Sequence, residues 1–203
     1  MAKNRKEIVV GGLTAAAAVM TGAQVADAAD VSDVGVDWSG FYMGLSAAMQ
    51  TGDSPMRYDT DYVLGDDVSV GGFVGVNHQM GNLVVGIELA LQSGVDADGN
   101  NNSIEPYKVD YTVDSKLKLG MDLGSGLLVY GFAGPSGGGF HNQNDDYAFF
   151  GVNYGLGAEY MVTEKFSLGA EVLGRSVIDT YGWTGYPDPD PSYQATLRAA
   201  FHF

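Results

Sequence analysis

The 203-residue sequence has no cysteine, only six prolines, and ten lysines and arginines against twenty-five acids. Without cysteine, neither a disulfide framework nor a lipid-modified cysteine anchor is available. No stretch beyond the first thirty residues approaches the roughly 20 consecutive apolar residues of a membrane-crossing helix, so any passage through a bilayer has to be made by strands. The shortage of bases leaves a formal charge of −15. Such a chain repels phosphates, which excludes nucleic acid as a natural partner.

What is present points to exported β-structure. Lys3, Arg5 and Lys6 precede an uncharged apolar run from Ile8 to Met20, and Ala26-Asp27-Ala28 has the small-x-small form of a cleavage site. Residues 1–28 are therefore expected to be a secretory signal removed before Ala29, leaving residues 29–203 as one domain with a net charge of −16. Thirty glycines, twelve tyrosines and nine phenylalanines suit pleated strands and tight turns.

From Trp38 onward, segments of about ten residues alternate apolar with small or polar side chains. Phe41, Met43, Leu45, Ala47 and Met49 share one face, opposite Tyr42, Gly44, Ser46, Ala48 and Gln50. The clearest segment sets Tyr107, Val109, Tyr111, Val113, Ser115, Leu117, Leu119 and Met121 against Lys108, Asp110, Thr112, Asp114, Lys116 and Lys118. Similar alternation runs through residues 83–92, 150–160, 166–175 and 193–203. Residues 69–79 and 127–134 also read as strands, with their facing left open.

Eight segments suit a closed antiparallel up-and-down barrel. The short links at Met80–Asn82, Asp122–Gly126 and Val162–Lys165 alternate with long polar ones at 52–67, 93–106, 135–147 and 179–191. Short turns on one side and long loops on the other are the pattern of a transmembrane barrel.

The charges decide which face is inside. The polar faces carry Glu88, Asp110, Asp114, Glu159 and Glu171 with Lys108, Lys116, Lys118, Arg175 and Arg198, five acids and five bases. A solubilising exterior would share the chain's acid excess, whereas balance predicts mutual pairing in a confined lumen. The opposite facing would set these charges in lipid, at about 2–4 kcal/mol for each base at mid-membrane. A soluble ligand-carrying barrel with an apolar interior is the alternative that this balance disfavours.

Two motifs carry a family resemblance. Asp37-Trp38-Ser39-Gly40-Phe41-Tyr42-Met43-Gly44 resembles the opening of the small outer-membrane barrels of alphaproteobacteria, the immunogenic or opacity-like relatives of the OmpA transmembrane domain. The alternation through Tyr193, Leu197, Phe201 and the terminal Phe203 resembles the last-strand signal read by the barrel-assembly machinery. The resemblance implies residence in the outer membrane of a Gram-negative bacterium, in contact with membrane lipid and lipopolysaccharide.

The remaining signals are weaker. The long loops hold thirteen acids (Asp53, Asp59, Asp61, Asp66, Asp67, Asp96, Asp98, Glu105, Asp145, Asp146, Asp179, Asp188, Asp190), which could gather divalent cations bridging to lipid A phosphates, although an ordinary solvated surface is the favoured reading. Asp96-Ala97-Asp98-Gly99-Asn100 begins like a calcium loop but lacks its bend glycine and closing glutamate, so it reads as a plain loop. Gly134 to Gly139 reads as a flexible connection, and Pro187 to Pro191 as a stiff one. His78 and His202 fall near the short-turn rim in structural positions. His141, with Ser136, Asp145 and Asp146 nearby in sequence, is the one constellation compatible with a lipid A acyl hydrolase. No cofactor or metal site is expected. The favoured function is a non-enzymatic barrel supporting envelope integrity and presenting its loops. A narrow solute channel ranks second and the hydrolase third.

Overall fold

Strict alternation stabilises a sheet only when its two faces meet different surroundings, and a sheet without edges satisfies that condition all the way round. The computed structural model describes residues 36–51, 56–57, 62–64, 68–94, 96–99, 107–141, 145–181, 186–187 and 191–203. The expected signal segment and most of the loop acids lie outside them.

Eight long strands form the wall: β1 (Gly40–Thr51), β4 (Val68–Met80), β5 (Leu83–Ser93), β7 (Tyr107–Asp122), β8 (Leu127–His141), β9 (Asp146–Thr163), β10 (Phe166–Tyr181) and β12 (Ser192–His202). They pair antiparallel in the order β1-β4-β5-β7-β8-β9-β10-β12, and β12 returns to β1 with Tyr42 opposite His202, so the ring is closed. Four short strands, β2 (Met56–Arg57), β3 (Tyr62–Leu64), β6 (Asp96–Gly99) and β11 (Tyr186–Pro187), add pairings at the long-loop end. The short turns are as expected, and glycines open two of them: Gly81 takes φ +62° and Gly124 φ +81°.

The alternation sorts the side chains as an inside-out protein. Leu45, Ile87, Leu117 and Leu156 are 59–74% exposed on the outer face, whereas Glu88, Lys116, Lys118 and Arg198 are 3–5% exposed on the inner one. The two strands whose facing sequence left open also resolve. Phe73 and Asn77 of β4 and Leu128, Tyr130 and Phe132 of β8 point inward.

Glycines opposite aromatics explain why β4 and β8 were hard to read. Tyr42 faces Gly75, Phe73 faces Gly44, Tyr130 faces Gly157, Phe132 faces Gly155 and Phe149 faces Gly138, each directly across a strand pair. A Cβ on any of these glycines would fall 2.3–2.5 Å from the ring lying over it. Each large ring thus occupies the volume of two inward positions, and at Gly75 on β4 and Gly138 on β8 the glycine leaves its own strand without a side chain to mark the inward face.

Three expectations are corrected. Gly134 to Gly139 is not a loop, because β8 continues through it to His141. Pro135 lacks an N–H for the β7 ladder there, and Asn153 Nδ2 replaces it, donating to the Ser115 carbonyl at 3.1 Å and to the Pro135 carbonyl at 2.9 Å. The backbone of Asp96–Gly99 is likewise a strand rather than a plain loop, pairing with β3 and β7. Asp146 and Asp179, counted among loop acids, lie in β9 and β10.

The wall is also uneven. Strands β7 to β10 run 15–18 residues, against 11–13 for β1, β4, β5 and β12. Since about 9–11 tilted residues cross a bilayer, one side of the barrel projects well beyond the apolar band at the long-loop end.

Candidate functional site

The middle of the lumen is filled by one cluster in which acids are shared among bases. Glu88 on β5 accepts a two-pronged contact from Arg198 on β12, Nη1 to Oε1 at 2.9 Å and Nη2 to Oε2 at 2.6 Å. The same carboxylate meets Lys116 Nζ at 3.2 Å and Lys118 Nζ at 3.5 Å, both on β7, and accepts the Tyr42 hydroxyl at 2.8 Å. Glu171 on β10 accepts from Lys116 at 2.5 Å, from Tyr130 Oη at 2.8 Å, and from Arg198 Nη1. Five charged groups from four strands are therefore tied across the barrel axis.

Aromatic faces complete the enclosure. Lys118 Nζ lies 4.1 Å from the Tyr130 ring centre and 4.9 Å from that of Tyr42, Lys116 Nζ lies 4.7 Å from Phe132, and Arg198 Cζ lies 3.9 Å from Phe73. Cations held against ring faces with water excluded gain more than they would at the surface. Strand alternation alone gives these rings no role. The available signal was a large aromatic at a polar-face position with a glycine on the partner strand.

A second, smaller group lies nearer the long-loop end. Arg175 Nη2 donates to Asp114 at 2.6 Å and its Nε to Ser136 Oγ at 2.8 Å, while Ser136 donates to Asp114 at 2.5 Å. At the short-turn end, Ser167 donates to Glu159 at 2.5 Å, and His202 Nε2 lies 2.9 Å from Ser167 Oγ and 3.2 Å from Glu159. Serine and glutamate meet the same ring nitrogen here, whereas a nucleophilic triad sets them on opposite ones.

The ten residues expected in the lumen thus divide. Eight are inward and buried, four acids (Glu88, Asp114, Glu159, Glu171) and four bases (Lys116, Lys118, Arg175, Arg198). Asp110 is a correction. A bulge between Val109 and Tyr111 inverts the facing of β7, so Val109 is buried and Asp110 turns outward to His141 Nδ1 at 2.7 Å. The side chain of Lys108 lies outside what the structure describes.

The hydrolase constellation is not assembled. Ser136 is 2% exposed, bonded to Asp114 and Arg175 in the lumen, and five residues along β8 from His141. At ~3.3 Å per residue they are about 16 Å apart. Among the described residues, no group of three or more histidines and acids could hold a metal ion.

Residues 13–203 match the model of the outer membrane protein beta-barrel domain. The chain belongs to that family. The outer-membrane barrel therefore sits with its short turns in the periplasm and its long loops outside the Gram-negative cell, the orientation such barrels share. No curated protein matches the sequence. Among solved structures, the barrel resembles OprG of Pseudomonas aeruginosa, with a TM-score of 0.55 and 16% identity over 84% of this chain and 99% of that one. It also resembles Ail, the attachment invasion locus protein of Yersinia pestis, at 0.54 and 11% over 81% and 97%. Neisserial surface protein A scores 0.54 at 15% identity over 81% and 98%. At these identities the likeness is one of fold.

In this membrane frame Phe41, Phe166, Phe201 and Phe203, 38–70% exposed, lie together at the periplasmic ends of the neighbouring strands β1, β10 and β12, where aromatic residues anchor such barrels. Tyr193, Leu197, Phe201 and Phe203 of the expected assembly signal all point outward from β12.

Proposed function

We propose that the protein is a non-enzymatic outer-membrane barrel whose lumen is closed, and whose role is to support the envelope and display its extracellular loops. The observation that carries this reading is the cluster of Glu88, Glu171, Lys116, Lys118 and Arg198 across the axis, each 3–5% exposed. Eight strands enclose a space that side chains just fill, and this one is filled by mutually neutralising ions.

The test is conductance of the folded barrel in a planar bilayer. The closed-lumen reading expects no current above that of the lipid alone, and steady ion-selective steps would replace it with the narrow-channel reading. The Trp38-Ser39-Gly40-Phe41-Tyr42-Met43-Gly44 opening supports placing the chain with the opacity-like relatives of the OmpA transmembrane domain.

Lipid and lipopolysaccharide are the proposed surroundings, and the barrel-assembly machinery the proposed partner in biogenesis through Tyr193, Leu197, Phe201 and Phe203. Divalent cations bridging loop acids to lipid A phosphates would join an acidic surface to an anionic leaflet. Calorimetric titration of the folded barrel with calcium decides this last point, and no heat at millimolar calcium would remove it.

A further inference from the structure

The periplasmic mouth carries a closure of its own, separate from the charged cluster above it. Residues 36–39 precede the wall, yet Trp38 is fully buried. It belongs to one buried apolar cluster with Val84, Leu128 and Met161, inward residues at the periplasmic ends of β5, β8 and β9. Strand β8 stands four places from β1 in either direction round the ring, so a side chain just before β1 reaches it only by crossing the lumen. On its near side the indole lies edge-on to His202, with centroids 5.6 Å apart and planes at 78°.

The backbone holds it there. Gly40 takes φ +120°, which L side chains rarely adopt, and so turns the chain from the strand into the mouth. Trp38 N donates to Gln79 Oε1 at 2.7 Å, and Gln79 N donates to Ser39 Oγ at 3.0 Å. Val36 packs against the same cluster, within 3.6 Å of where a Cβ on Gly126 of the β7–β8 turn would lie. The indole Nε1 has no hydrogen-bond partner among the described residues, so shape rather than a polar contact seats the ring.

We propose that Val36 to Ser39 form a cork, with Trp38 as its stopper and Gln79 as its clamp, sealing Glu159, Ser167 and His202 from periplasmic water. The cork extends the closed-lumen reading to a second level of the barrel.

The absence of cysteine makes the test clean. A single Val84→Cys thiol, in the buried cluster with the indole of the folded barrel, is exposed to a charged thiosulfonate that does not cross lipid. The cork predicts slow labelling with Trp38 present, acceleration of about ten-fold or more in Trp38→Ala, and protection retained in Trp38→Phe. Gln79→Ala falls between. Heat-modifiable migration reports that each variant has assembled, and a merely structural tryptophan would lower the melting temperature without altering thiol access.

Equal labelling with and without the indole in assembled barrels would overturn the proposal, as would fast labelling in the presence of Trp38. If Trp38→Ala does not assemble, Gln79→Ala decides, and an unchanged rate there overturns the cork. Fast labelling of Val84→Cys without any bilayer current removes the cork alone. Current through the unmodified barrel removes the closed lumen as well.

Discussion

The ion cluster at mid-lumen and Asp110 at the extracellular end form one group in the sequence, but in the structure Asp110 leaves it to pair with His141, and the two are different kinds of interaction. Glu88 is 4% exposed and meets three bases. Asp110 and His141 are 39% and 38% exposed and meet each other. Both are short contacts between ionisable groups, but water sets their worth. In the lumen, each charge has lost its hydration and depends on its partners, whereas at the rim solvent replaces whichever partner is lost.

The comparison is broken most forcefully at Glu88. Glu88→Gln leaves Lys116, Lys118 and Arg198 with an uncharged neighbour, and is expected to cost about 3–5 kcal/mol or to prevent assembly. Urea unfolding of the barrel in micelles measures it. Replacing Lys116 and Lys118 together by Gln should likewise destabilise the barrel more than it creates current, because Glu88 and Glu171 remain buried. Unchanged thermal stability would contradict the cluster's role.

Asp114→Asn tests the smaller group. Arg175 keeps Ser136 as a partner, so a loss of roughly 2–3 kcal/mol is expected, short of the Glu88 effect. Packing around the cluster is tested by Gly157→Ala, whose new Cβ would meet the Tyr130 ring at 2.5 Å and push its hydroxyl from Glu171. Overpacking of this kind costs about 1–3 kcal/mol. The smallest effect belongs to the rim: Asp110→Asn should change unfolding free energy by less than ~1 kcal/mol. A large loss there, equal to that at Glu88, would show that burial does not separate the two sites.

The same two regions show why part of the barrel was legible in the sequence and part was not. Along Leu83–Gln92 and Leu117–Met121 the large outward residues recur at every second place without a break, so period-two alternation reports facing directly. Legibility fails where one residue does the work of two. At Gly138 the inward space is taken by Phe149 from the neighbouring strand, which masks β8 beyond Gly134. At Asp110 the alternation continues in the sequence, but an extra residue in the ladder reverses it, and no residue type there announces a bulge. The cork is hidden for another reason: Val36 lies against Gly126 on the opposite wall, and such a contact exists only once the ring has closed.

The central claim is that apolar side chains face lipid while the polar ones face a closed interior. It is tested most directly on β1, where Leu45 to Met49 carry no charge that a label could disturb. Leu45 is 74% and Met49 53% exposed, and Ala48 only 1%. Spin labels placed one at a time at the five positions should show oxygen collision rates in lipid that alternate, high at 45, 47 and 49 and low at 46 and 48. Rates that are uniform, or that peak at 46 and 48, would contradict the inside-out barrel.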